Sequence, residues 1–366
     1  MDIEVDLGRI REVVTKVYRI ISGRPVLPVL SGILCEAEEG ELKLTATDYE
    51  IGVFSRCQAK VKKSGSAVLP GKVFYHIIRS AGSGTTRITA LPDHTVEVRV
   101  GKGYYKLSGF PPSDFPLFPP LSQEFSLSME GAELKEALLQ TYFSVSKDEM
   151  RPPLTGIFMN LQVGKLHFVS TDGHRLSVRK IKEVEGNVGD WQGIIPAKTA
   201  SELLRLVPSG RVRIFPGKGE ILIELGETFL FSRLIEGEYP KYEQVIPQEF
   251  TTEVELSRSE FMGSLERVSL VSTLPSPVVE MVLKEDEVEI SCQSPEVGMA
   301  REEVGASVSG ERITLAFNAR YLLEALRVVD WEKVRLGLSG ELSPAKVFEE
   351  SSPFQYVIMP VKLREG

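Results

Sequence analysis

Leu7, Ile10, Val13, Val14, Val17 and Ile21 lie on one stripe when the chain is wound at 3.6 residues per turn, which predicts an amphipathic helix over 7–21. Comparable stretches occur at 132–147 and 257–270, with shorter ones at 71–80, 197–206 and 319–328. Alternating runs follow the longer helical stretches: Leu42-Lys43-Leu44-Thr45-Ala46-Thr47, Lys165-Leu166-His167-Phe168-Val169 and Glu287-Val288-Glu289-Ile290. These read as half-buried strands. More runs follow the shorter helices: Val96 to Val100, Ile221 to Leu225 and Val334 to Leu338. Two rounds of helix followed by strands, met three times, predict an α+β fold of three similar domains, each with two helices packed on antiparallel sheet.

Short landmarks recur with the same period. Pro28-Val29-Leu30-Ser31-Gly32-Ile33 matches Pro152-Pro153-Leu154-Thr155-Gly156-Ile157, Thr47-Asp48 matches Thr171-Asp172, and Phe115-Pro116 matches Tyr239-Pro240. Leu69-Pro70-Gly71-Lys72 matches Ile195-Pro196-Ala197-Lys198, which aligns more faintly with Phe317-Asn318-Ala319-Arg320. A period of about 122 residues is too long for a solenoid unit, so each copy is expected to be a domain. Pro-rich segments, Pro111 to Pro120 and Pro240 to Pro247, separate the copies. The expected domains are 1–122, 123–248 and 249–366.

Composition changes this picture little. Hydrophobic residues at 42% and charged residues at 26% of the 366 are those of an ordinary soluble globular protein. No apolar run approaches a membrane span, and the acidic start Met1 to Asp6 lacks a signal pattern, so a cytoplasmic protein with no membrane partner is expected. Cys35, Cys57 and Cys292 are too far apart and too few for a disulfide framework or a metal cluster.

Charge matters more through its placement. The net charge of −8 argues against a protein that grips DNA by coating phosphates over its whole surface. Yet the six helical stretches hold 14 basic and 7 acidic residues, a net of +7 that leaves −15 for everything else. Helices gathered on one side would attract phosphate there while the rest repelled it. No base-reading motif is present, so contact would be with the backbone, independent of sequence and weakened by salt.

Thr171-Asp172-Gly173-His174-Arg175-Leu176 is the most distinctive string. It reads either as an enzyme's Asp172–His174 pair or as a strand–turn–strand with Asp-Gly at the turn. No nucleophile in a G-x-S-x-G setting accompanies it. Gly101-Lys102-Gly103 and Gly217-Lys218-Gly219 lack phosphate-loop spacing and read as hairpin turns. The apolar end Tyr356 to Leu363 reads as a closing core strand or, because Pro360 interrupts it, as the lining of a groove for a partner peptide. No metal or cofactor is expected.

Taken together, Gly23-Arg24-Pro25-Val26-Leu27-Pro28, Thr45-Ala46-Thr47-Asp48, Thr171 to Leu176, Gly237-Glu238-Tyr239-Pro240 with Val245-Ile246-Pro247, and Met359-Pro360-Val361-Lys362-Leu363 resemble the bacterial DNA polymerase III beta subunit family, the sliding clamps. The resemblance implies a non-catalytic processivity factor, a head-to-tail homodimer forming a ring of six similar domains around duplex DNA. It implies DNA-facing positions at Arg24, Lys72, Arg79 and Lys198. It implies a hydrophobic peptide pocket lined by Leu154, Thr171, Gly173, His174, Arg175, Leu176, Pro240, Val245, Val357, Met359, Pro360, Val361 and Leu363. There the polymerase III alpha subunit, clamp-loader subunits, other DNA polymerases and repair proteins would dock. A dimer contact would pair Tyr105 and Leu107 with Leu270 and Val271. The sequence departs from the family pattern at Pro152-Pro153, at Gln244 and in the tail Arg364-Glu365-Gly366. Two other readings remain at this point: a nucleotide-handling or hydrolytic enzyme built on Asp172 and His174, and a scaffold that never encircles DNA.

Overall fold

The computed structural model describes residues 1–21, 23, 25–118, 125–182, 184–275 and 277–362. Six α-helices lie among them, all where the periodicity puts them: α1 (Leu7–Tyr18), α2 (Gly71–Ser80), α3 (Gly131–Tyr142), α4 (Ala197–Leu206), α5 (Arg258–Val268) and α6 (Ala319–Arg327). Their starts are set locally. The side chains of Asp6, Ser257 and Asn318 accept the orphan amides of Arg9, Glu260 and Arg320 at the N-termini of α1, α5 and α6. Pro70 and Pro196 stand just before α2 and α4.

Each repeat has one element the sequence reading passed over. A short strand, Asp2–Asp6, Leu127–Glu130 or Thr252–Ser257, runs directly into the first helix. It pairs antiparallel with the first strand after the second helix in every copy. Each repeat is therefore two rounds of strand, helix and strands. The signal was present as alternation, Ile3 and Val5 buried between exposed or half-buried acids, but over five residues it is too short to weigh against the helix that follows.

The repeats share sheets. By contacts the described chain divides into two compact units, and the second repeat contributes to both. One unit holds a five-stranded sheet and a nine-stranded sheet; the other holds a twelve-stranded sheet. In the nine-stranded sheet, Ile51–Gln58 of the first repeat pairs with Thr228–Arg233, the last strand of the second, in the register Ser55 to Thr228. In the twelve-stranded sheet the same join recurs one repeat later. Arg175–Ile181 pairs with Phe354–Ile358, the last strand of the third repeat, in the register Arg175 to Ile358.

The helices cover the sheets through apolar stripes. In the third repeat Phe261, Leu265 and Val268 of α5 and Leu322 and Leu326 of α6 pack on Val254, Met281, Ile290 and Leu336. The Pro-rich segments are also held down by burial. Phe115 is buried with Val29, Leu30, Leu34 and Val68, while Tyr239, Tyr242 and Ile246 enter a cluster of the second repeat. Cys35 and Cys292 are buried, Cys57 is half-buried, and all three are free thiols in strands. Both Gly-Lys-Gly segments are hairpin turns, with Gly101 at φ +56°. No helix among the described residues is long and apolar enough to cross a membrane.

Candidate functional site

The Thr-Asp string resolves into one turn built twice. In the second repeat the Thr171 hydroxyl accepts the Gly173 amide at 3.1 Å and donates to the Arg175 carbonyl at 2.6 Å. Asp172 Oδ1 accepts the amides of His174 at 2.9 Å and Arg175 at 3.1 Å. In the first repeat Thr47 accepts from Tyr49 and donates to Ile51, while Asp48 Oδ1 accepts the amides of Glu50 and Ile51. The third turn residue takes positive φ in both, Gly173 at +91° and Tyr49 at +81°. Only glycine adopts that region without strain, so the second copy is the relaxed one. The contact from Asp172 to His174 runs to the amide, not the imidazole, and the second carboxylate oxygen is taken by Arg175 Nε at 2.9 Å. This is a turn made of hydrogen bonds, and it holds no activated base in the sense the enzyme reading requires.

What the turn does is hold the segment that follows the last strand. The Met359 amide donates to the His174 carbonyl at 2.8 Å, and the Val361 amide donates to the Ala316 carbonyl at 2.7 Å. The segment after the last strand is thereby fixed between the second-repeat turn and the strand Thr314–Asn318. Beneath it lies an apolar cluster in which Leu154, Leu176 and Val357 meet Phe158, Tyr239, Tyr242 and Ile246. The Phe158 and Tyr239 rings are stacked 4.7 Å apart. Val245, Met359 and Val361 stay 49%, 37% and 36% exposed, so apolar surface is left open to solvent in the segments that follow Tyr242 and Val357. Pro240 is exposed, and Pro360 is half-buried.

Most of the peptide-lining residues expected from the sequence therefore converge. Phe158, Tyr239, Tyr242 and Ile246 were missed; the apolar residues inside the second Pro-rich segment were the available signal. Leu363 lies outside the described residues. Burial pushes the Tyr242 hydroxyl up to about 12. Its oxygen lies 3.0 Å from His167 Nδ1.

Arg175 behaves differently from the other expected lining residues. Its side chain is only 7% exposed. It is paired with Asp172 and with Glu324 of α6, donates from Nη2 to the Phe143 carbonyl at 2.5 Å, and lies over the Tyr321 ring at 4.1 Å. Burial opposes ionisation of Glu324, but hydrogen bonds from Arg175 and Arg320 outweigh it and hold the carboxyl below its usual range. A cavity of about 630 Å³ lies beside the turn, with His174, Arg175, Arg320, Tyr321 and Glu324 in its wall.

The positive charge of the helices is smaller and less available than the sequence suggests. Within the observed helix bounds there are 12 basic and 7 acidic residues, a net of +5, because Arg19 and Lys147 lie past the ends of α1 and α3. Arg11 of α1 is used internally, donating to the Ile78, Ala81 and Gly82 carbonyls at the end of α2. In the third repeat Arg267, Arg320 and Arg327 are paired with Glu302, Glu324 and Glu266, and Arg258 caps the Leu326 and Trp331 carbonyls. Lys72 and Arg79 are exposed on α2. Arg79 Nη1 donates to the Tyr75 hydroxyl at 3.0 Å, and Tyr75 is stacked on Tyr18 at 4.0 Å. Lys198 is exposed on α4. Arg24 lies outside the described residues.

Tyr105 and Leu107 sit on Gly103–Ser108, the edge strand of the five-stranded sheet, with Tyr105 40% exposed. Leu270 is 79% exposed and Val271 half-buried in a single 3-10 turn after α5. The long strand Gly298–Gly310 was not singled out from the sequence. Its first part pairs with Glu287–Ser294 on one side, and among the described residues Gly298 to Val304 has no strand on the other.

Comparison with known proteins decides the family. The N-terminal, central and C-terminal domains of the DNA polymerase III beta subunit match residues 1–119, 128–241 and 243–362. The chain belongs to the DNA polymerase III beta subunit family. It is 31% identical to the beta sliding clamp of Staphylococcus aureus (strain Mu50 / ATCC 700699) over 338 residues, 89% of each chain. It is 29% identical to that of Synechococcus elongatus over 359 residues, 95% of this chain and 96% of the relative. Among solved structures, the Bacillus subtilis DNA polymerase sliding clamp matches with a TM-score of 0.95 at 27% identity and full coverage of both chains. A Bartonella birtlesii sliding clamp bound to griselimycin matches at 0.94 and 28% identity, covering 99% of this chain and 100% of that one. The three-domain α+β fold is that of these clamps, and the family is one of non-catalytic processivity factors.

Proposed function

We propose that two copies of this chain close head to tail into a ring around duplex DNA and tether the replicative polymerase and other DNA-processing proteins to it. The observation that carries the ring is the repeated sheet join. The third strand after the first helix of the first repeat pairs with the last strand of the second, and the third strand after the first helix of the second repeat pairs with the last strand of the third. Two strands are left over from this pattern. Gly298–Gly310 is the third strand after the first helix of the third repeat, and Gly103–Ser108 is the last strand of the first, each with an edge uncovered among the described residues. A second copy turned head to tail supplies a partner for each. Closure also removes two exposed edges that would otherwise invite uncontrolled association. Tyr105, Leu107, Leu270 and Val271 then fall at this contact, and domains of 1–122, 123–248 and 249–366 are its six units.

Lys72, Arg79 and Lys198 face the duplex in this reading. Few contacts with phosphate, and none with base edges, leave the ring free to slide. Holding DNA by topology needs little affinity, which fits a chain whose net charge is −8. The exposed Val245, Met359 and Val361 over the Leu154–Leu176–Val357 cluster form the docking surface. A partner's apolar segment fills it, and a tethered polymerase stays near its template at high effective concentration. The place of work is the cytoplasm.

The test is retention on DNA of different topology. Ring loaded by a clamp loader onto nicked circular DNA should remain bound through gel filtration and leave once the circle is linearised. Equal loss from circle and linear DNA would overturn the ring and favour a scaffold that never encircles DNA.

A further inference from the structure

The docking turn and α6 share one carboxylate. Glu324 Oε1 accepts from Arg320 Nε at 2.9 Å, and Glu324 Oε2 accepts from Arg175 Nη1. Arg175 Nε holds Asp172 Oδ2 at 2.9 Å, and Asp172 Oδ1 holds the amides of His174 and Arg175. The His174 carbonyl receives the Met359 amide. An unbroken series of polar contacts thus runs from a helix-surface cation to the segment that carries Met359 and Val361.

The two ends differ in solvent access. The Arg320 side chain is 50% exposed, that of Glu324 21%, that of Arg175 7%. Arg320 can therefore exchange Glu324 for an external anion, whereas Arg175 cannot leave its partners without exposing a buried charge. When Arg320 turns to a phosphate, the Glu324 charge is no longer divided between two guanidinium groups. It then falls on Arg175 alone, and the turn below Met359 is held more firmly.

We propose that Arg175 is a positioning residue for the docking surface, and that Arg320, through Glu324, makes docking tighter when α6 meets DNA phosphate. This rests on the clamp reading given above. Reciprocity follows: a docked partner strengthens the DNA contact by the same factor, so the ring holds a partner best while it is on DNA. Arg175 does not touch the partner in this scheme. It fixes the backbone that presents Met359.

The test uses the full chain as purified dimer and a fluorescein-labelled peptide spanning the docking segment of the polymerase III alpha subunit. Peptide affinity is read with and without a short linear duplex, for the parent and for Arg320→Gln. The parent should bind peptide about five-fold more tightly in the presence of duplex. Arg320→Gln, a half-exposed surface change, should already bind at the higher affinity without duplex and show no further gain. An Arg320→Gln protein that matches the parent both with and without duplex would overturn the coupling. A parent that binds no peptide at all would instead remove the docking surface itself, so the two failures are distinct.

Discussion

The Met359 amide donates to the His174 carbonyl at 2.8 Å, joining residues from the second and third repeats across 185 positions of sequence. That bond fixes the segment Met359 to Val361 as part of an apolar surface. A chain ending at Ile358 keeps the closing strand Phe354–Ile358 and its pairing with Arg175–Ile181, so its far-ultraviolet circular dichroism should match the parent. Its affinity for the alpha-subunit docking peptide should fall by at least about 30-fold, as expected on removal of a central anchor. Fluorescence anisotropy decides this, and undiminished binding would move the docking surface elsewhere.

The helix charges lead to a second expectation. Lys72 and Arg79 are exposed on α2, while Arg258, Arg267 and Arg327 of α5 and α6 are engaged by carbonyls or acids, and Arg320 reaches phosphate only by giving up Glu324. Equilibrium binding to short linear duplex should therefore be carried mainly by the first repeat. Lys72→Ala should lower the slope of log affinity against log salt by about 0.9 for each phosphate that the lysine neutralises. Arg327→Ala should leave the slope nearly unchanged, because Arg327 is already paired with Glu266 at 2.7 Å. Equal slopes for Lys72→Ala and the parent would remove Lys72 from the DNA face.

Acid should loosen the floor of the docking surface through His167. Burial, followed by the charge of Lys180, holds its imidazole below the ordinary 6.5. The folded protein resists a proton that the unfolded chain accepts, so this contribution is complete above pH 6.5 and is lost as pH falls. The urea midpoint should drop between about pH 7.5 and about pH 5.5, and by less in His167→Asn, which titrates nothing there. Identical drops in the two proteins would assign the acid sensitivity to other groups.

Much of the fold is legible along the chain because it depends on local periodicity. The stripe Leu7, Ile10, Val13, Val14 and Val17 becomes the buried face of α1, and Leu42 and Leu44 alternate into the core as their spacing requires. The short strands before each first helix escaped because four to six residues of alternation carry little weight against an adjoining helix. The proposed docking surface was legible in part. Thr171, His174, Leu176, Val357 and Met359 stand in recognisable strings, whereas Phe158, Tyr239, Tyr242 and Ile246 join them only through folding.

The sequence by itself determined the threefold repeat, the six helices and many of the strands within it, and the family, and it offered a turn at Asp172-Gly173 as one of two readings. Those depend on which residues are neighbours along the chain, and hydrogen-bonding groups two to four residues apart meet in any fold that forms the turn. Only the tertiary structure decided that Arg175 is consumed by Asp172 and Glu324, that the third-repeat cations are largely neutralised, and that, among the described residues, Gly103–Ser108 and the first part of Gly298–Gly310 have no strand on one side. Each of these depends at least in part on pairing between residues far apart in the chain, as in Arg175–Glu324, Arg267–Glu302 and Arg327–Glu266. A charge in the sequence becomes available surface only where no distant partner reaches it.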